Sequence, residues 1–280
     1  MLTALLGVAT AALFGSGDFF GGLASRRSPA LAVTGVVYLV GALVFSALLL
    51  VLRPEQVTRV DILWGSASGI AGTVGIVSLY AALAIGRMSI VAPITAALSG
   101  AGPALFDLAR GAHIGPVTMT GLALALVAVI IVSTTTGTVE EHGMPPLAVA
   151  LSVLAGASFA CSLVSLSLTL PTSGFAPLLI ARGGGTVIMG VAIFARRREM
   201  TLGRPGARMA VGAGLLDAAA NVTMISAIRV GPLAVASVVG GLYPVATMLL
   251  ARIVLGERLK RHQAFGVALA LAAVVLTALP

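Results

Sequence analysis

Continuous apolar stretches, interrupted only by charges, prolines and short polar clusters, divide the chain into ten segments. The first five run from about Leu2 to Gly22, Ala30 to Leu52, Ile62 to Ile85, Ser89 to Leu108 and Val117 to Thr135. After the polar break Thr135–Pro146, the rest cover about Leu147 to Leu168, Phe175 to Ala195, Met209 to Ile228, Leu233 to Val254 and Ala264 to Leu279. Roughly 20 apolar residues are what a helix needs to cross a bilayer. Each segment is apolar throughout instead of alternating, which predicts helices and not barrel strands, because a helix satisfies its own backbone in lipid. Gly17xxxGly21, Gly65xxxGly69 and the run Gly183–Gly185 put small residues where helix backbones approach closely.

Composition agrees with that solvent. Only 9% of the 280 residues are charged and 59% are hydrophobic, too little polar surface to clothe a soluble fold and too much apolar surface for one core to hide. A soluble enzyme, a disordered regulator and a secreted disulfide scaffold are excluded, the last by the single Cys161. The chain opens apolar at Leu2 without a basic leader, so the first segment is expected to be retained as a helix. The net charge of +8 comes from loop clusters, Arg26–Arg27, Arg196–Arg198 and Arg258–Lys260–Arg261, and not from a basic stripe interleaved with aromatics, so no nucleic-acid partner is expected. These clusters follow odd-numbered segments, which by the positive-inside rule places those loops in the cytoplasm and both termini outside.

An internal repeat appears at an offset of 145. Without a gap, Ala82–Val132 lies over Ala227–Thr277 with 12 identities in 51 positions, where composition alone supplies about five. Gly86 falls on Gly231, Gly111 on Gly256 and Gly121 on Gly266, and Phe14 falls on Phe159. A five-span unit, 1–136, is therefore repeated as 146–280 across a connection at 137–145. Five being odd, the second copy must cross the bilayer in the opposite sense. The expected fold is an all-α membrane protein of ten transmembrane helices in two inverted five-helix repeats.

The stretch Ala227-Ile-Arg-Val-Gly-Pro-Leu-Ala-Val-Ala-Ser through Leu242-Tyr-Pro-Val to Leu255-Gly-Glu-Arg-Leu, then Gln263 and Gly266, resembles the end of an EamA-type repeat of the drug/metabolite transporter superfamily. Pro244, Gly256, Glu257 and Gly266 carry the motif; the first copy has Ser99 and Gly111–Ala112 in place of Pro244 and Gly256–Glu257. Phe14-Gly-Ser-Gly-Asp-Phe-Phe-Gly-Gly-Leu-Ala-Ser-Arg-Arg is also similar to a bacterial EamA subgroup. The resemblance implies a multi-pass secondary carrier of the cytoplasmic membrane, monomeric or homodimeric, that moves small metabolites or drug-like compounds, often outward. It also implies cytoplasmic termini, opposite to the charge distribution.

Ionisable groups inside a span cost at least about 2.5–3.5 kcal/mol on insertion scales and mark functional sites by default. Asp107 and Arg252 lie near span ends, where reaching the interface explains them. Asp18 sits late in the first span, facing either a cavity or the headgroups. Arg182 in the seventh span and Asp217 in the eighth are expected either to pair or to supply a substrate or proton site. Asn221 shares the Asp217 helix face at i, i+4, which makes Asp217 the leading candidate for a proton-coupled group in a cavity between the halves, lined by helices one, three, four, six, eight and nine. Tyr243, beside Pro244, is either a hydroxyl and stacking face of the same cavity or an interfacial aromatic like Trp64, Tyr38 and Tyr80. His113, His142 and His262 lie in separate loops, so no metal is expected, and no cofactor is called for. No convergent catalytic set and no GxxxxGK[ST] phosphate loop is present, which sets an enzyme or an ATP-driven pump aside. A channel or a non-transporting membrane sensor is the alternative to a carrier.

Overall fold

The computed structural model describes the chain apart from residues 26–27, 86–87, 134–144, 196–201, 256–260 and 279–280. The described residues form α1 (Leu2–Ser25), α2 (Ala30–Val51), α3 (Arg59–Ile85), α4 (Met88–Ala109), α5 (Pro116–Ser133), α6 (Pro146–Ser167), α7 (Ala176–Ala195), α8 (Arg204–Val230), α9 (Leu233–Gly240), α10 (Tyr243–Leu255) and α11 (Arg261–Ala278). Proline sets several of the starts: Pro116 and Pro146 are first helical residues, Pro205 is second, and Pro29 and Pro232 immediately precede α2 and α9. Its fixed φ suits a first turn, whose amide donors are unpaired in any case. α4 stops where Gly111 turns left-handed at φ 84°, and the Ala112 amide folds back to donate to the Asp107 carbonyl at 3.1 Å.

Six helices, α1, α2, α3, α6, α7 and α8, are long and apolar enough to cross a membrane. Four further apolar stretches of the described chain, Ile94–Ala109, Pro116–Ala128, Leu233–Thr247 and Ala264–Ala273, are shorter. Large apolar side chains point outward, among them Leu50, Val187, Val191 and Ile253, each at least 65% exposed. The interior is built mainly from Ala, Ser, Thr and smaller apolar residues. This is the reverse of a soluble core and follows from packing: lipid is as apolar as leucine, so helices associate where small residues let backbones approach.

The Gly65xxxGly69 and Gly17xxxGly21 pairs sit at such crossings. A Cβ on Gly69 would lie 2.7 Å from the Ala181 Cα of α7, and one on Gly17 would lie 3.4 Å from the Ala213 carbonyl of α8. Of the run Gly183–Gly185 only Gly185 is in tight contact; Cβ atoms on Gly183 and Gly184 would meet no described atom within 4 Å. α1 packs chiefly on α8 and α3 on α6, while α2 lies against both α7 and α8.

The ninth segment is two helices and not the single run Leu233–Val254. The Gly241 amide donates back to the Ser237 carbonyl and Leu242 to Val239, after which α10 begins at Tyr243. Pro244, buried in the first turn of α10, has no amide hydrogen to offer the Gly240 carbonyl, so the ladder cannot run through. α3 also starts three residues earlier than the hydropathy boundary, which brings Asp61 into its first turn.

Candidate functional site

A cavity of about 140 Å³ lies inside the bundle, at the level where the ninth segment breaks. α1, α3, α4, α6, α8 and the two helices of the ninth segment, α9 and α10, contribute to its wall, and so do α2 and α7, which supply Tyr38 and Arg182. Its charged lining residues are Asp18, Arg182 and Asp217.

Arg182 and Asp217 are brought together. The Arg182 Nη2 donates to Asp217 Oδ2 at 2.5 Å, with the two side chains only 12% and 15% exposed. Antiparallel packing of successive helices, the obvious sequence argument for such a pair, is not what joins them. α7 packs on α2 and α3 and α8 on α1 and α2, so α2 intervenes. The arginine stem crosses α2 at Gly41, where a Cβ would sit 3.5 Å from its Cδ. Its guanidinium lies over the Tyr38 ring at 4.5 Å, a cation–π contact in a desolvated site. That ring is also backed by Gly185 of α7, where any Cβ would overlap Tyr38 Cε1. The pair is thus held by a glycine on each of two helices, something that hydropathy does not register.

Asn221 does share the Asp217 face, and its Nδ2 donates to the Asp217 backbone carbonyl at 2.7 Å. Asp18 faces the cavity and not the headgroups. It makes no hydrogen bond or ion pair with a described residue, yet its charge lies within electrostatic reach of Asp217, Tyr80 and Tyr243. Tyr243 is a cavity residue, wedged by its backbone carbonyl against Gly15. Tyr38 and Tyr80 are buried at 2% and 6% exposure, so the interfacial reading of these two tyrosines is corrected: Tyr38 packs against α7 at Gly185, and the Tyr80 hydroxyl reaches Gly21 of α1.

Asp107 does not simply reach the interface either. Its Oδ2 accepts the Ala234 amide at 3.1 Å, placing a carboxylate at the positive end of α9. The side chain of Arg252, and Gly256 and Glu257 altogether, lie outside the described residues. Gly266 is buried in α11, away from the cavity wall.

One polar cluster escaped the sequence reading. Asp61, with no exposed surface, accepts the Thr58 amide (2.8 Å) and hydroxyl (2.7 Å) and, from the segment after α6, the Leu170 amide (2.8 Å). Arg229 at the end of α8 reaches the Leu170 carbonyl and the Ser173 hydroxyl, each at 3.4 Å. The signal was present as Thr58-x-x-Asp61 before an apolar run, a capping-box spacing with Asp in the Glu/Gln position. Among the described residues no group of three His, Cys, Asp or Glu is arranged to hold a metal ion.

A solved structure titled "Crystal structure of protein" has a TM-score of 0.76 to this chain at 17% identity, covering 99% of this chain and 96% of its own, a likeness of fold alone. No curated protein matches the sequence. The profile of the EamA-like transporter family matches residues 1–134 and again 145–279, one match to each half of the chain. With a helical membrane bundle around an internal cavity that carries three charged residues and a family match to both halves, this chain belongs to the EamA-like transporter family and is a membrane transporter of the drug/metabolite superfamily.

Proposed function

We propose that the protein is a ten-span secondary transporter of two inverted five-helix halves, exporting small metabolites or drug-like compounds across the cytoplasmic membrane by alternating access with proton coupling. The observation that carries this reading is Asp18, a carboxylate without an ion-pair partner among the described residues, facing a cavity inside an apolar bundle. A charge placed there costs free energy unless something neutralises it, and a proton or a substrate group arriving in turn supplies that. Asp217 and Asn221 line the same cavity, but Asp217 already has its counter-ion in Arg182, so the titrating role passes to Asp18.

The two-half reading is supported by packing. The offset of 145 exchanges α1 with α6 and α3 with α8, and α1–α8 and α3–α6 are both major contacts. It also pairs cavity residues with cavity residues: Phe14 with Phe159, Asp18 with Leu163, Gly72 with Asp217 and Leu79 with Met224. An interface between related halves is where inverted-repeat carriers hold substrate.

The test is flux in proteoliposomes under an imposed pH gradient. Saturable efflux dissipating with the gradient is expected, and Asp18→Asn is expected to retain a folded protein while abolishing proton-driven accumulation. Non-saturable flux indifferent to the gradient would identify a channel, and ligand binding without flux a sensor.

A further inference from the structure

The cavity lies nearer one end of the bundle than the other. On α3, α6 and α7 its wall reaches Ser68, Leu166 and Leu178, while the residues 145 positions away from these, Ala213, Gly21 and Val33, are buried outside the wall. Ser68 is in the first half of α3, Leu166 in the last turn of α6 and Leu178 in the first turn of α7, so all three mark the same end. Between the cavity and that end stand an apolar plug, in which Leu166 and Leu178 pack with Phe45 and Ile225, and the α6–α7 connection, residues 168–175.

That connection is tied to three neighbours. The Leu170 amide donates to Asp61 at the start of α3, and Arg229 at the end of α8 donates to the Leu170 carbonyl. From the α2–α3 connection, the Glu55 and Gln56 amides donate to the Thr172 carbonyl at 3.1 and 3.3 Å. Gly174, left-handed at φ 54°, turns the chain toward α7 beside Pro54. The opposite end is built differently. At the offset of 145, Asp61 and Thr58 fall on Gly206 and Gly203, and Leu170 and Ser173 on Ser25 and Ser28. The two connections occupy equivalent places, since a Cβ on Gly206 would lie 2.7 Å from the Ser28 hydroxyl oxygen. Yet among the described residues no side-chain hydrogen bond or ion pair joins Ser25 or Ser28 to α8, and the Ser25 hydroxyl is buried without a partner. One end is fastened by polar bonds, and the other is closed by packing.

We infer that the α6–α7 connection is the gate of the nearer mouth of the cavity and that Asp61 is its latch, so that this mouth opens when the Leu170 amide leaves the carboxylate and Arg229 leaves the Leu170 carbonyl. This deepens the alternating-access reading and rests on it. Rocking of one half against the other parts the start of α3 from the end of α6 at one face, and the start of α8 from the end of α1 at the other. At the first face the motion breaks charge-assisted bonds that exist only while the gate is shut, and at the second it separates packed surfaces. Asp61 is outside the cavity wall and acts as a positioning residue, which holds this mouth closed at rest.

The test is thiol labelling of the full chain in membrane vesicles of both orientations, on a Cys161→Ser background, with the impermeant reagent 2-sulfonatoethyl methanethiosulfonate. Leu178→Cys reports the plug beneath the gate, and Val33→Cys the paired buried position at the other end. The two are expected to label slowly and from opposite faces. Asp61→Asn is expected to speed labelling of Leu178→Cys at least about 10-fold, the factor that about 1.4 kcal/mol of lost bonding corresponds to, without speeding Val33→Cys. Arg229→Gln, which removes the outer contact, is expected to speed Leu178→Cys at least about 3-fold, and it decides the matter if Asp61→Asn does not fold. Unchanged labelling of Leu178→Cys in folded Asp61→Asn, or in Arg229→Gln where that variant does not fold, would overturn the latch, and so would equal acceleration of Val33→Cys. Labelling of both cysteines from one and the same face, with the rate at Leu178→Cys still dependent on Asp61, would leave the latch intact and sink alternating access. Opposite-face labelling indifferent to both substitutions would do the reverse.

Discussion

Breaking the Arg182–Asp217 pair from either side is expected to cost far more than removing it whole. With the charge centres about 4 Å apart and an effective dielectric constant near 20, their attraction is about 4 kcal/mol. Both side chains are at least 85% covered, so screening by solvent removes little of it. Arg182→Gln also forfeits the stack on Tyr38, worth about 0.5–2 kcal/mol, and leaves two carboxylates, Asp18 and Asp217, facing one cavity. Asp217→Asn leaves a guanidinium buried without its anion. Each single change is expected to destabilise by about 3–5 kcal/mol, and Arg182→Gln with Asp217→Asn to recover all but about 1–2 kcal/mol, since neither buried charge is then stranded. The assay is unfolding in mixed micelles at increasing dodecyl sulfate, followed through the emission of Trp64, the only tryptophan. If the double variant loses the sum of the single losses to within about 0.5 kcal/mol, the two residues are not a coupled unit and the reasoning fails.

Gly185→Ala drives a methyl into the Tyr38 ring and to 2.8 Å from Thr73 Oγ1, so it is expected to cost about 1–3 kcal/mol and to impair transport by displacing the arginine's platform. Gly184→Ala meets no described atom within 4 Å and is the control, expected to melt no lower than wild type. Asp61→Asn weakens charge-assisted bonds to Thr58 and Leu170 and is expected to cost about 1.5–3 kcal/mol, with faster amide exchange in residues 168–175 and unchanged exchange in α11; unaltered exchange at 168–175 would show that Asp61 does not hold that segment. The basic clusters after odd-numbered segments predict a dark C-terminal green-fluorescent fusion, and bright cytoplasmic fluorescence would show the opposite orientation.

Hydropathy by itself determined that this chain is a helical membrane protein, because a backbone in lipid has few ways to satisfy its amides and a run of about 20 apolar residues selects one of them. The repeat and the motif around Leu242-Tyr-Pro-Val were enough to indicate the family, and the rarity of charge within the spans was enough to single out Asp18, Arg182 and Asp217. Pro244 marked the place where the ninth segment breaks, but not that it becomes two helices, since a proline in a helix can kink without ending it. Which ionisable groups are paired and which are free was decided only by tertiary structure. Depth along a helix says nothing of rotation about it, and the Arg182–Asp217 contact depends on α2 passing between α7 and α8 with Gly41 under the arginine stem. The same holds for Tyr38 and Tyr80, whose amphipathic rings suit an interface or a desolvated interior equally well until a neighbouring cation or glycine settles the choice. Asp61 was missed because a hydropathy boundary three residues late assigned it to a loop. Only the fold brings the Leu170 amide, 109 residues away, to a carboxylate that would otherwise prefer water.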